Sequence, residues 1–191
     1  MFGSSRVGKT TAIYEFLKSD LIDQAFEHIY FCSPCLSNVV ENWEQELDVK
    51  IQYLPELPTE IFFNEIETDS LLIIDDFWDD ACKNKPIQNA FKIYSGKKNL
   101  SIFITSQNPF EPKGSRSIRN NLNYYLLFKN LGDVGINNRI ARQIDAAKLY
   151  TEAQESVGRY DFVLFNRDLS SEGFDMLFTS LFSDYPFAFK K

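Results

Sequence analysis

An eight-residue pattern near the start of the chain constrains its fold more than any other feature. Residues 3–10 read Gly-Ser-Ser-Arg-Val-Gly-Lys-Thr, which matches the phosphate-binding pattern Gly-x4-Gly-Lys-Ser/Thr at every fixed position. A glycine-rich turn lets backbone N–H groups converge on phosphate oxygens, and the helix that follows adds the positive end of its dipole. The pattern therefore predicts a loop that binds a nucleoside triphosphate. The alternative is a plain glycine turn before a helix.

The side chains of this phosphate loop have separate predicted roles. Lys9 is expected to reach the β- and γ-phosphates, and the Thr10 hydroxyl is expected to bind Mg²⁺. The other predicted nucleotide-binding residues are Gly3, Ser4, Ser5, Arg6, Val7, Gly8 and Thr11. ATP and Mg²⁺ are the cofactors that follow from this pattern.

A second motif is the run of four aliphatic residues 71–74, which is followed by Asp75 and Asp76. Such a run is typical of a strand that is buried on both faces and delivers carboxylates at its carboxyl end, where open α/β sheets bind ligands. This Walker B arrangement predicts Asp75 as a Mg²⁺ ligand and Asp76 as the carboxylate that orients or activates water. Taken alone, the segment also fits a core strand that enters a solvated acidic turn, to which Asp79 and Asp80 are assigned.

A third strand is predicted at residues 101–106, and the polar pair Gln107 and Asn108 follows it. In additional-strand ATPases a polar sensor residue stands at this point, so Gln107 could bond both the γ-phosphate and the attacking water. The alternative is ordinary loop chemistry in a Gln-Asn-Pro turn. A helix is predicted from Pro86 to Tyr94 between the two motif strands, with Gly96 beyond its end, and it favours a crossover between parallel strands.

The composition is that of a globular domain. The chain has 191 residues, of which 44% are hydrophobic and 25% are charged, so one domain over residues 1–191 is expected. The net charge of −7 argues against general adhesion to DNA or anionic membranes, although a local basic patch or a pore could still concentrate cations. No apolar run reaches the roughly 18–20 residues of a membrane span, and no signal peptide precedes the loop. A protein that is not secreted is therefore expected.

Cysteine usage points to a reducing compartment. The three cysteines Cys32, Cys35 and Cys82 do not form the pattern of a disulfide framework. With only one histidine in the chain, a structural zinc site is disfavoured, and the cysteines are expected to act as small hydrophobic residues.

The remaining periodicity predicts alternating helices and strands. Helices are expected through about residue 18 and at 37–45, 59–66, 137–149 and 174–182, and strands at 28–32, 51–54, 124–128 and 160–165. The predicted fold is an α/β P-loop NTPase of the additional-strand type, with a mostly parallel sheet flanked by helices. Only Met1 and Phe2 precede the loop, so the first strand is expected to be missing. Phe77, Trp78 and Phe110 lie near the motifs, where core packing is favoured over stacking on a base.

Together, the phosphate loop, the strand that ends at Asp75 and Asp76, and residues 104–110 resemble the FtsK/HerA superfamily. Within it, the likeness is to the genome-packaging ATPases of double-jelly-roll DNA viruses and Polinton-like elements. Lys113-Gly114, residues 116–121, residues 124–130 and Ala141-Arg142-Gln143 follow in the order of that family. The resemblance covers most of residues 3–166. It departs at Asp76, where cellular relatives commonly carry Glu, and at residues 175–179, where the family tends to have an arginine.

The resemblance implies a homo-oligomeric ring motor that hydrolyses ATP and pushes double-stranded DNA into a preformed capsid. Expected partners are DNA, further copies of the chain, and a capsid or portal protein, in the infected cell (nucleus or cytoplasm) or in the virion. Lys9, Asp76, Gln107 and an arginine from a neighbouring copy would supply the catalysis. Arg116 and Arg119 are the candidates for that arginine, with solvated surface residues as the alternative, and Arg139 and Arg142 come second.

Two other function classes compete with this interpretation. A P-loop nucleotide kinase would need a lid with several arginines, and no arginine-rich insertion separates the motifs. A module that binds nucleotide or other subunits without turnover is the stronger rival, because the first strand is expected to be missing.

Overall fold

The computed structural model describes residues 1–19, 22, 26–35, 38–112, 114–128, 134–143, 150–151, 153, 161–167, 176–179 and 187–190. The chain divides into two compact units. The parallel unit comprises residues 10–106 and 111–121, and the antiparallel unit comprises residues 1–9, 107–110 and 122–191. The expectation of a single domain over residues 1–191 stays a prediction.

The parallel unit contains a four-stranded, all-parallel sheet. Its strands are β1 (His28–Cys32), β2 (Ile51–Leu54), β3 (Ser70–Ile74) and β4 (Ser101–Ile104), in the spatial order β2-β1-β3-β4. All five residues of β3 are buried, as expected for a strand that carries the aliphatic run 71–74. The predicted α/β class with a parallel sheet is confirmed.

Short helices connect these strands. They are α1 (Lys9–Lys18), α2 (Asn38–Glu41), α3 (Trp43–Leu47), α4 (Glu60–Glu65), α5 (Trp78–Lys83), α6 (Lys85–Asn89), α7 (Ser95–Lys97) and α8 (Ser115–Arg119), with a π-helical turn at Ala90–Tyr94. The helix predicted over 37–45 is thus two helices, and the one predicted over 86–94 is α6 continued by the π-helical turn. The Asn84 side chain caps α6 by accepting a hydrogen bond from the Ile87 N–H at 3.0 Å.

The antiparallel unit contains a second four-stranded sheet. Its strands are β5 (Tyr124–Phe128), β6 (Phe162–Asn166), β7 (Met176–Thr179) and β8 (Phe187–Lys190), each antiparallel to the next, and α9 (Val134–Gln143) follows β5. Phe2 pairs with β5 in a parallel bridge to Leu127. The Phe2 N–H donates to the Leu126 carbonyl at 2.8 Å, and the Phe128 N–H donates to the Phe2 carbonyl at 2.9 Å.

Two features of the antiparallel unit differ from the expectations. Residues 176–179 form strand β7, so the helix predicted over 174–182 is wrong there, because pairing with β6 decides the conformation of this short apolar run. A second, antiparallel sheet was not predicted. Before the phosphate loop, the described residues form only the isolated bridge at Phe2 and no strand. Residues 144–149 of the helix predicted over 137–149 lie outside the described residues.

Aromatic side chains fill the core of the parallel unit. Trp43 of α3 is 2% exposed and packs edge-to-face on Phe31 of β1, with ring centroids 5.7 Å apart. Phe63 of α4 stacks on Tyr94 of the π-helical turn, with ring centroids 5.5 Å apart. Among the described residues, no helix is both long and apolar enough to cross a membrane.

Candidate functional site

The carboxyl edge of the parallel sheet carries Asp75 and Thr105, one residue beyond β3 and β4. Ile74 and Ile104 are register partners, and the ladder continues past them. The Asp75 N–H donates to the Cys32 carbonyl at 2.8 Å, and the Thr105 N–H donates to the Ile74 carbonyl at 3.0 Å. The backbone therefore fixes both residues side by side at the edge where α/β sheets bind ligands.

The Asp75 carboxylate is held by two hydroxyl groups. Its Oδ2 accepts a hydrogen bond from Thr10 Oγ1 at 3.0 Å, and its Oδ1 accepts one from Thr105 Oγ1 at 2.5 Å. Asp75 is only 8% exposed. The structure thus brings together Thr10 and Asp75, which are the two residues that the sequence assigns to Mg²⁺. Their role as metal ligands stays a prediction.

The donor set at Asp75 fits a magnesium ion that arrives with a nucleotide. Mg²⁺ takes oxygen ligands and is usually held by one or two protein groups together with waters and substrate phosphates. Thr10 and Asp75 offer one hydroxyl and one carboxylate oxygen 3.0 Å apart. Within the described ranges there is no group of three or more His, Cys, Asp or Glu side chains that could enclose a metal by themselves.

Asp76 turns the chain directly after the buried strand. Its φ of +57° lies in the left-handed region, which Asp tolerates better than most residues, and its side chain is exposed. The Asp76 N–H donates to Thr105 Oγ1 at 3.3 Å. Asp79 and Asp80 are exposed in the first turn of α5. An exposed carboxylate thus follows a buried one at the sheet edge.

The phosphate loop belongs to the antiparallel unit up to Lys9. Gly8 has a φ of +93°, and Arg6 has a φ of +60°, so the loop uses left-handed backbone at two positions. Gly3 is needed for a different reason. A Cβ at Gly3 would lie 2.7 Å from the Phe128 Cβ, so the backbone passes too close to β5 for any larger residue.

Lys9 closes the loop through its ammonium group. Lys9 Nζ donates to the Gly3 carbonyl at 2.9 Å and to the Ser4 carbonyl at 2.8 Å, and the residue is 8% exposed. Gln107 also meets this loop, because its Nε2 donates to Ser5 Oγ at 2.9 Å. The structure therefore brings the predicted sensor residue to the phosphate loop, 102 residues away in sequence.

The arginine candidates differ in their surroundings. Arg116 is exposed on α8, whereas Arg119 is half-buried on the same helix. Burial raises the pKa of the Cys82 thiol to about 12, Asp79 adds to the rise, and the charges of Arg119 and Lys83 oppose it. Arg119 thus lies near α5.

The second group of arginines lies on α9. The Arg139 guanidinium lies 4.0 Å from the centroid of the Phe110 ring, and Arg142 is exposed. Phe110, a candidate for base stacking, is therefore covered by a cation of its own chain. Trp78 is buried, and its indole N–H donates to the Glu111 carbonyl, which is the packing role that was favoured for it.

The cysteines are dispersed. Cys32 is buried and its thiol donates to the Glu56 carbonyl at 3.2 Å, while Cys35 is exposed and Cys82 is buried. Burial raises the pKa of the Cys32 thiol to about 12. Cys32 and Cys82 therefore pack in the interior as small hydrophobic residues.

Sequence reasoning missed Thr105 as part of the site. The signal that could have found it is positional, since Thr105 is the first residue after β4 just as Asp75 is the first after β3. It also missed the supporting contact of Gly3 with Phe128, which depends on a residue far along the chain.

No protein-family model matches the chain, and no curated protein matches it. Among solved structures, the genome packaging NTPase B204 from Sulfolobus turreted icosahedral virus 2 in complex with ATP-gammaS aligns with a TM-score of 0.57 and 11% identity, over 87% of this chain and 90% of the other. Its complex with sulfate gives a TM-score of 0.57 and 12% identity, over 87% and 89%. The chain has the fold of a viral genome packaging NTPase. At this level of identity the likeness concerns the fold, and function has to be argued from the residues.

Proposed function

We propose that the chain is an ATP-hydrolysing subunit of a genome-packaging motor in the FtsK/HerA superfamily. The observation that carries the proposal is the hydrogen bond between Thr10 of the phosphate loop and Asp75 at the sheet edge. Two motifs that are 65 residues apart in sequence meet through the side chains that phosphoryl transfer requires. The fold likeness to a packaging NTPase supports the same function.

The proposed reaction is attack of water on the γ-phosphate of ATP, which yields ADP and phosphate. Mg²⁺, when bound through Thr10 and Asp75, would supply charge neutralisation on the phosphates. Lys9 follows the glycine turn and directly precedes Thr10, so its ammonium is proposed to bind the β- and γ-phosphate oxygens. In doing so it would exchange its hydrogen bonds to the Gly3 and Ser4 carbonyls for charge-assisted ones.

Water is proposed to be positioned by Asp76 and Gln107. Asp76 is an exposed carboxylate immediately after the buried Asp75, so it can accept a proton or a hydrogen bond from water. The Gln107 amide already reaches the loop at Ser5, and the same amide could turn to a γ-phosphate oxygen. Both residues have positions that the family resemblance assigns to this task.

A second copy of the chain is proposed to supply the arginine that stabilises the charge of the transition state. Arg116 is exposed on α8, so its guanidinium is available to a neighbour, and Arg119 is the second choice because it is half-buried near Cys82. An arginine supplied in trans stabilises the charge of the transition state, so hydrolysis would depend on contact between copies. A homo-oligomeric ring is therefore part of the proposal.

Double-stranded DNA is the proposed substrate of the motor, and a capsid or portal protein is its proposed docking partner, inside an infected cell or on a virion. The net charge of −7 means that DNA contact has to come from local cations. In a ring, each copy repeats the same basic side chains around one channel, which concentrates them on the DNA.

The test is an ATPase assay with and without duplex DNA, accompanied by nucleotide-binding measurements. Wild-type protein should hydrolyse ATP in a Mg²⁺-dependent way, and Lys9→Ala should lose turnover and bind ATP far more weakly. Lys97→Ala, which removes an exposed lysine from α7, is the matched control and should change neither. Binding without turnover would favour the module without catalysis, and no Mg²⁺-dependent nucleotide binding would overturn the proposal.

A further inference from the structure

One buried hydroxyl connects both acidic residues of the sheet edge. Thr105 is completely buried, its Oγ1 donates to Asp75 Oδ1 at 2.5 Å, and the same oxygen accepts a hydrogen bond from the Asp76 N–H at 3.3 Å. A threonine hydroxyl has one donor and two acceptor positions, so a single group can make both bonds. Thr105 therefore contacts the carboxylate of one acid and the backbone of the next.

The bond to Asp75 determines how that carboxylate is turned. An aspartate side chain can rotate about its last torsion, which exchanges the positions of its two oxygens. With Oδ1 taken by Thr105, Oδ2 is the oxygen that meets Thr10 at 3.0 Å. A group that hydrogen-bonds to a metal-binding carboxylate orients that carboxylate and changes its affinity for the metal.

The hydrogen bond between the Asp76 N–H and Thr105 Oγ1 supports the backbone conformation of Asp76. Asp76 has a φ of +57°, a conformation that L-residues with a side chain adopt rarely and that needs support from its surroundings. The Thr105 hydroxyl gives the Asp76 N–H a partner in that conformation. The turn that carries the exposed carboxylate is thereby tied to β4.

We propose that Thr105 is a positioning residue that orients the Asp75 carboxylate for Mg²⁺-nucleotide and holds the Asp75–Asp76 turn. This inference rests on the proposed nucleotide chemistry. The alternative is a purely structural role, in which the Thr105 hydroxyl makes these hydrogen bonds because buried polar groups need partners, with no effect on Mg²⁺ binding. The two roles differ in one measurable quantity, since a structural role changes stability and leaves the Mg²⁺ requirement of nucleotide binding unchanged.

The experiment measures binding of a fluorescent, non-hydrolysable ATP analogue to the full chain while Mg²⁺ is titrated. Thr105→Val keeps the shape and removes the hydroxyl, and the half-saturating Mg²⁺ concentration should rise about 10- to 100-fold. Thr105→Ser keeps the hydroxyl and should stay near wild type. The matched control is Ser106→Ala, because Ser106 Oγ is buried next door and has no hydrogen-bond partner within the described residues. It should leave the Mg²⁺ requirement unchanged.

A second pair of variants covers the case in which Thr105→Val does not fold. Thr105→Ser and Thr105→Ala both lack the methyl group, so their comparison isolates the hydroxyl, and thermal melting of each shows that it is folded. Equal Mg²⁺ requirements for the serine and alanine variants would overturn the positioning role. If wild-type protein itself shows no Mg²⁺-dependent binding, the proposed function fails, and the inference fails with it. A Mg²⁺-dependent wild type with an unaffected Thr105→Val refutes the inference alone.

Discussion

The two parts of the nucleotide motif are built in different ways. At the sheet edge, Asp75 follows a fully buried strand, and its carboxylate is fixed by side-chain hydrogen bonds from Thr10 and Thr105. The phosphate loop instead relies on backbone, with left-handed residues, a close approach of Gly3 to Phe128 and an ammonium bound to carbonyls. Side-chain hydrogen bonds orient the carboxylate at the sheet edge, whereas backbone conformation determines the shape of the phosphate loop.

This difference predicts different consequences of mutation. Removing a hydroxyl at the sheet edge leaves the strand buried, so the chain should still fold while the carboxylate loses its orientation. Adding a single methyl group to the loop at Gly3 forces the backbone off β5, so stability should fall. The predictions below test this contrast, beginning with the largest expected effect.

The first prediction concerns the proposed trans arginine, which neither the sheet edge nor the phosphate loop supplies. Arg116→Ala should lower ATP turnover by about 10³- to 10⁵-fold while Mg²⁺-ATP binding remains, because the guanidinium stabilises the transition state only. The measurement is steady-state ATPase activity with a parallel binding assay. Lys92→Ala, which removes an exposed cation from the π-helical turn, serves as the comparison and should have a much smaller effect.

Mixing experiments then decide whether Arg116 acts across copies. Lys9→Ala subunits keep Arg116, and Arg116→Ala subunits keep Lys9, so a mixed ring contains some interfaces with both residues intact. Activity should partly return on mixing. If activity stays at background in samples that demonstrably co-assemble, Arg116 is not shared between copies and Arg119 is the next residue to test.

The second prediction separates the two acids at the sheet edge. Asp76→Asn should keep Mg²⁺-ATP binding and lower turnover by about 10²- to 10⁴-fold, because the amide cannot accept a proton from water. Asp75→Asn should instead weaken Mg²⁺-dependent nucleotide binding because a ligand oxygen is lost, and the residual binding should depend less on Mg²⁺. Asp80→Asn, at an exposed position in α5, is the control. Normal turnover of Asp76→Asn would move the water-activating role elsewhere.

Sequence alone predicted the parts of this protein that depend on local pattern. The aliphatic run before Asp75 is typical of a buried strand, and the glycine pattern at residues 3–10 indicates both a loop and the helix after it. The role of Thr105 could not be predicted, because the register between β3 and β4 places it beside Asp75 and that register is a tertiary property. The same holds for Gly3, whose neighbour Phe128 is distant in sequence.

The antiparallel sheet shows where local pattern fails. Residues 176–179 are a short apolar run that fits a helix turn as well as a strand, and the pairing with β6 decides between them. The partner of Phe2 was equally hidden, because one residue pair of a parallel bridge leaves no periodicity in sequence. Local propensity is a weak guide wherever strand pairing supplies the stabilising contacts.

The third prediction tests the backbone support of the loop. Gly3→Ala places a Cβ 2.7 Å from the Phe128 Cβ, and the free energy of unfolding should fall by about 1–3 kcal/mol through overpacking. Gly96→Ala is the matched control, because nothing lies within 4 Å of the added Cβ. In the short helix α7 it should stabilise slightly, by up to about 1 kcal/mol.

Urea denaturation of both glycine variants provides the measurement, and it sharpens the contrast with Thr105. Gly3→Ala should weaken nucleotide binding without moving the half-saturating Mg²⁺ concentration, whereas Thr105→Val should do the reverse. Identical stability of Gly3→Ala and wild type would show that the loop path tolerates a side chain and that its glycine serves the phosphates instead.

The smallest expected effect concerns the rigidity of the sheet edge, which Cys32 can report. Its carbonyl accepts the Asp75 N–H, and burial raises the pKa of its thiol to about 12 from an ordinary value of 9. The thiolate is the reactive form, so at pH 8 iodoacetamide should modify the exposed Cys35 quickly and Cys32 slowly, as resolved by peptide mass spectrometry. Because the folded state holds the thiol proton more tightly, this contribution to stability is complete below pH 9 and is lost as the pH rises towards 12. Equal modification rates at positions 32 and 35 would mean that the sheet edge opens readily, and the contrast between a rigid edge and a backbone-held loop would then be wrong.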